Sequence, residues 1–240
     1  MTTHKDFRGI LVPHITPFNR DGSIDTEALE VLVDYWLRSG VHGLVPCASN
    51  GEGPYLTREE RASITRCVLE LASSRVLVIG AVAAPGTHEA VAQARLLADM
   101  GVDAILATPP FYYTPDKREL LAHYQYFLDH VDVPVLLYNV PKFVGYSIDI
   151  SVLETLVEEY SQIVGIKESS GVAWIVTELT RRLRDKVSVF AGTGDTLLHT
   201  LMMGGAGGII AVAIIAPRIC VELYKSFTSK DYEKAAELQK

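Results

Sequence analysis

Short β-branched runs alternate along this chain with longer stretches in which apolar residues return every third or fourth position. Apolar runs of roughly four to eight residues between turn formers read as strands, and the 3.6-residue period reads as amphipathic helix. By that rule the strands are predicted at 9–16, 43–48, 76–82, 104–108, 133–139, 164–168, 187–191 and 208–212. Helices are predicted at 24–39, 58–73, 87–99, 116–131, 150–160, 174–184, 197–203 and 217–227. The first gathers Leu29, Val31, Leu32, Tyr35 and Trp36 on one side, and Thr57-x-x-Glu60 predicts a capping box at the start of the second.

Eight strand–helix units, each about 25 to 30 residues long, predict a closed (β/α)8 barrel over residues 1–228. No G-x-G-x-x-G opens the first helix, which disfavours a doubly wound dinucleotide fold. A further helix starts at Asp231 and runs to Lys240 without a stop signal, so residues 229–240 read as the start of a C-terminal helical extension.

Composition narrows the function classes. The net charge of −7 argues against a surface built for nucleic acid or anionic lipid, which needs clustered Lys and Arg. The most apolar stretch, 204–217, is too short to span a bilayer, and residues 1–6 lack the apolar core of a leader. Cys47, Cys67 and Cys220 are widely spaced and odd in number, which predicts free thiols, no zinc site and a reducing cytoplasm. The histidines (His4, His14, His42, His88, His123, His130 and His199) show no metal-ligand spacing.

In a (β/α)8 barrel the chemistry gathers at the C-terminal ends of the strands. Three of those ends carry reactive groups. Lys167 follows Ile163-Val164-Gly165-Ile166 on a strand predicted to be buried on both faces. A lysine is rarely buried without a purpose, and loss of water favours the neutral amine that attacks a ketone. The plainer reading pairs it with Glu168 or lets it snorkel to the rim. Tyr138 ends the neighbouring strand, where a phenol can move protons; a packed aromatic with a satisfied hydroxyl is the structural alternative. Ser49, Asn50 and Gly51 offer a hydroxyl, an amide and a loosened backbone suited to a carboxylate, or are simply turn residues.

At these residues the chain resembles the dihydrodipicolinate synthase / N-acetylneuraminate lyase family of class I aldolases. The likeness runs from Ile15-Thr16-Pro17-Phe18 through Ser49-Asn50-Gly51-Glu52, Phe111-Tyr112-Tyr113, Tyr138-Asn139-Val140-Pro141 and Gly165-Ile166-Lys167-Glu168 to Gly208-Ile209-Ile210-Ala211-Val212. The resemblance implies that Lys167 forms a Schiff base with pyruvate and that Tyr138 donates and accepts protons. It implies that Ser49 relays protons, with Tyr112 reaching in from a neighbouring subunit, and that Ser49 and Asn50 hold the carboxylate. The Ile210 carbonyl on the last strand would face the pyruvyl group. It also implies a homotetramer, often a dimer of dimers, no metal or organic cofactor, and a C-terminal helical extension that is mostly missing here.

Two departures bear on the substrate. Dihydrodipicolinate synthases carry an arginine two residues after the Tyr-Asn-Val-Pro proline, and this chain has Phe143 there. A ring cannot grip a carboxylate bidentately. Asn50 stands where that subgroup has threonine, and Thr193 and Asp195 in the Gly192-Thr193-Gly194-Asp195 loop offer groups for sugar hydroxyls. The expected activity is therefore cleavage or formation of a 2-oxo-4-hydroxy acid, such as a 2-keto-3-deoxy sugar acid, from pyruvate and an aldehyde. The alternatives are 4-hydroxy-tetrahydrodipicolinate synthase and, in another class, a non-catalytic barrel that binds an oxoacid.

Overall fold

The computed structural model describes residues 6–240, so the reading of residues 1–5 as leaderless, and His4, lie outside the described residues. Eight parallel strands, β1 (Gly9–Val12), β2 (Gly43–Leu44), β3 (Leu77–Val82), β4 (Ala104–Ala107), β5 (Val135–Asn139), β6 (Ile163–Glu168), β7 (Ser188–Ala191) and β8 (Gly207–Ile209), close into a barrel in sequence order. The (β/α)8 architecture expected from the alternation is therefore the fold.

Helices link each strand to the next around the outside. Their starts follow local chemistry. Asp25 caps α1 (Thr26–Arg38) by accepting from the Ala28 amide at 2.9 Å. The expected Thr57/Glu60 capping box opens α2 (Arg58–Ala72), the two reciprocal bonds measuring 3.2 and 2.8 Å. The remaining outer helices are α3 (Thr87–Asp99), α4 (Lys117–Asp129), α6 (Ile150–Glu159), α7 (Ala173–Leu183), α8 (Leu197–Met202) and α10 (Pro217–Thr228), followed by α11 (Tyr232–Gln239).

Strand alternation splits the apolar residues into two cores. Outward residues such as Val135, Leu137, Ile166 and Val189 pack on helix residues Trp36, Tyr124, Phe127 and Leu179. Inward residues Leu11, Val45, Ile79, Leu106, Leu136, Tyr138, Phe190 and Ile209 fill the barrel. Gly165 keeps the inner layer closed: a Cβ there would come within 3.0 Å of Leu136 and of the Ser188 carbonyl.

Three strands end three or four residues earlier than expected, while the other boundaries move by two at most. β1 stops at Val12 rather than 16, because Pro13 has no N–H to extend the ladder. β2 stops at Leu44 rather than 48, since Pro46 lacks a donor and Cys47 turns left-handed at φ 56°. β8 stops at Ile209 rather than 212; Ala211 takes helical angles and starts a one-turn helix, α9 (Val212–Ile215). Another one-turn helix not expected from the pattern, α5 (Pro141–Val144), begins with proline at its first position and ends at Gly145 with φ 86°.

Candidate active site

β5, β6 and β7 set the centre of the site through their register. Tyr138 lies opposite Lys167, and Lys167 opposite Phe190, so all three point into the barrel from one layer. Lys167 is 3% exposed and Tyr138 4%, and the Lys167 Nζ sits 4.2 Å from the centroid of the Tyr138 ring. An ammonium held over a ring face in a dry site is a favourable electrostatic pair.

The Tyr138 phenol responds to this setting. Burial pushes it up, but the Lys167 charge, the Ser169 and Ser49 hydroxyls and the lysine amine together outweigh that, holding it below the ordinary phenol value. The buried Ser169 hydroxyl makes no hydrogen bond of full geometry, yet it stands near enough to the phenol to favour its anion. Gly192 makes room for it: a Cβ there would land 1.8 Å from the Ser169 Oγ. Ser169 did not emerge from the sequence as a site residue. Its signal is its position two residues beyond the strand-end lysine.

Glu168 does not pair with Lys167. Alternation turns it to the other side of β6, where Asn139 Nδ2 donates to Oε2 at 2.6 Å and the Ser170 amide donates to Oε1 at 2.5 Å. Asn139 Oδ1 in turn accepts from the Ile148 amide at 2.9 Å. This buried clamp fastens the 140–148 segment, with α5, over the mouth of the barrel. Asn139→Ala leaves a buried carboxylate short of a donor and the Ile148 amide short of an acceptor. It is expected to cost about 1–3 kcal/mol of stability, read as a lower urea midpoint at unchanged slope.

Ser49 heads a 3₁₀ turn, Ser49–Gly51, just past β2. The turn is tied to the loop after β1 by Thr16 Oγ1 donating to the Gly51 carbonyl at 2.7 Å and by Asn50 Nδ2 donating to the Pro13 carbonyl at 3.3 Å. The Asn50 side chain therefore orders the turn. Gly51 is required there, since a Cβ would sit 2.8 Å from the His14 carbonyl.

A cavity of about 320 Å³ opens over Tyr138 and Ser49. Its walls come from the C-terminal ends of β2 to β5 and the loops beyond them, with Glu52, Thr108, Phe111 and Phe143 among them. Lys167 is not on this wall and meets the site at the Tyr138 ring. The other expected residues stand apart. Thr193 Oγ1 shares a hydrogen bond of 2.9 Å with Thr196 Oγ1, and Asp195 is exposed on the following 3₁₀ turn, both off the cavity wall. Ile210 is buried one residue beyond β8, and its carbonyl accepts from the Ala213 amide at 3.2 Å. Tyr112 is 85% exposed at φ 87°, edge-on to Tyr113 with ring centroids 5.0 Å apart, and does not reach the cavity of its own chain. Among the described residues no group of three His, Cys, Asp or Glu could hold a metal ion, and no helix is long and apolar enough to cross a membrane.

The sequence profile of the dihydrodipicolinate synthetase family matches residues 6–240. The chain belongs to this family. A relative described as an uncharacterized DapA-like lyase, from Thermofilum pendens, is 38% identical over 96% of this chain and 78% of its own length. A 4-hydroxy-tetrahydrodipicolinate synthase from Methanopyrus kandleri is 35% identical over 96% of this chain and 77% of its own length. Among solved structures, YagE from E. coli K12, a prophage protein of the dihydrodipicolinic acid synthase family in complex with pyruvate, superposes with a TM-score of 0.94 at 30% identity, covering 97% of this chain and 79% of YagE. Family membership makes the chain a lyase of the dihydrodipicolinate synthetase type. Asn139 and Glu168, which clamp the mouth, sit within two of the motifs that first pointed to this family.

Proposed function

We propose that this protein is a class I carbon–carbon lyase in which Lys167 forms a Schiff base with pyruvate and joins it to, or releases it from, an aldehyde. The observation that carries the reading is the pairing of a buried lysine amine with a phenol of lowered pKa inside the barrel. YagE, whose fold the chain shares, was crystallised with pyruvate.

In this reading the Lys167 Nζ attacks C2 of pyruvate as the free amine, and one of its protons passes to the carbonyl oxygen. Tyr138 gives its phenol proton to the resulting hydroxyl, which leaves as water, and an iminium remains. Loss of a C3 proton gives an enamine. Its C3 forms a bond to the aldehyde carbon while the aldehyde oxygen takes a proton, and water then hydrolyses the iminium to free the 2-oxo-4-hydroxy acid. Cleavage runs the same steps backwards. The Ser49 hydroxyl passes protons to and from the phenol, and the Ser49 and Asn50 amides at the start of the 3₁₀ turn hold the pyruvate carboxylate. Tyr112 completes the relay from a second copy, which makes the working form a homo-oligomer. A cytoplasmic setting belongs to the same proposal, in keeping with free Cys47, Cys67 and Cys220.

Two aldehydes compete. The synthase names among the relatives favour aspartate semialdehyde, whereas Phe143 occupies the place of the arginine that would grip its carboxylate. The sugar-acid version, drawn from Thr193 and Asp195, has neither residue on the cavity wall. The test of the shared chemistry is borohydride reduction with pyruvate followed by peptide mapping. A reduced pyruvyl adduct is expected on the Lys167 peptide, and an unmodified peptide overturns the proposal.

A further inference from the structure

Resting on the Schiff-base reading, we infer that the aldehyde partner is uncharged and presents an aryl or alkyl body to this site. Beyond Tyr138 and Ser49 the cavity is walled chiefly by Ala81, Ala83, Leu106, Val140, Phe143 and Val144. Its wall contains no Lys, Arg or His, and its one ionisable carboxylate is Glu52. A second carboxylate on the aldehyde would meet Glu52 with no cation on the wall to offset it. Lys142 stands next to Phe143 with its Nζ 5.5 Å from the ring centroid, outside the wall and on the rim.

A polyhydroxylated aldehyde fares no better. Ser49 and Tyr138 serve the oxoacid end, which leaves only Thr108, Glu52 and the exposed Tyr55 phenol to satisfy several hydroxyls, and an unpaired polar group in such a cavity costs affinity. An apolar body instead covers surface the protein leaves bare. The Phe143 ring is 58% exposed although it lines the cavity, because α5 holds it there. Its amide donates to the Val140 carbonyl at 3.0 Å, and the Asn139–Ile148 bond fastens the far end of the segment. At about 320 Å³ the cavity falls in the size range of small-molecule sites.

The experiment gives the full chain pyruvate with benzaldehyde, D-glyceraldehyde or aspartate semialdehyde, and compares kcat/KM for the wild type, Phe143→Leu and Phe143→Arg. Reductive trapping with pyruvate alone on each protein reads whether the lysine chemistry is intact. The wild type is expected to favour benzaldehyde by at least ~10-fold, Phe143→Leu to keep that order, and Phe143→Arg to lose about 10- to 100-fold on benzaldehyde while gaining on aspartate semialdehyde. A wild type that traps pyruvate but turns over D-glyceraldehyde or aspartate semialdehyde faster than benzaldehyde overturns the inference. A wild type that fails to trap pyruvate overturns the Schiff-base reading, and this inference with it.

Discussion

Lys167→Ala abolishes turnover in every direction and with every aldehyde, and borohydride then leaves the peptide spanning residue 167 unmodified in the presence of pyruvate. The expected loss is on the order of 10⁶-fold, the scale seen when a covalent nucleophile is removed outright. The variant is expected to fold. Lys167 makes no ion pair with Glu168, whose carboxylate is already met by Asn139 and Ser170. Truncation therefore strands no buried charge, and the space it opens lies between Tyr138 and Phe190 in the inner layer. A thermal midpoint within a few degrees of the wild type, beside absent activity, separates lost chemistry from lost fold. Activity within tenfold of the wild type would remove Lys167 from the mechanism.

The barrel was legible because its signals are local. Apolar runs between turn formers mark each strand, and a capping pair such as Thr57 and Glu60 marks where a helix begins. Strand ends were less legible for a physical reason. At Pro46 and Ala211 the chain stays apolar while its hydrogen bonding changes, and hydrophobic pattern does not report ladder pairing. Residues 45–48 remain buried after β2 has ended, so they read as strand from composition alone.

The candidate site was legible where one strand carries the information. Period-two alternation places Tyr138 and Lys167 inward, and the same rule sends Asn139 and Glu168 outward into their clamp. What sequence could not give is any contact that depends on how distant loops meet. Asn50 reads as a substrate amide, yet its side chain is tied to Pro13 across 37 positions. Ser169 reads as a loop serine and acquires meaning only because Gly192, on the next strand's loop, lacks a side chain. Thr193 and Asp195 share a loop with that glycine but turn towards Thr196 and solvent.

Tyr138→Phe should keep Schiff-base chemistry while slowing turnover by about 10²–10⁴-fold, the usual effect of deleting a proton-transfer group. The phenylalanine retains the ring that faces the Lys167 Nζ, so the lysine keeps its seat and only the hydroxyl is lost. Reductive trapping with pyruvate should therefore persist, more slowly, in the same variant whose kcat has collapsed. pH supplies an independent reading. As proton donor the phenol acts in its protonated form, so the rate falls as pH rises through its pKa, which the Lys167 charge and the Ser169 and Ser49 hydroxyls hold below the ordinary phenol value despite the opposing effect of burial. Ser49→Ala removes one of the lowering groups and is expected to move that alkaline limb to higher pH; Tyr138→Phe should erase it. A Tyr138→Phe enzyme with the wild-type limb intact would assign the titration, and the proton transfer, to another group.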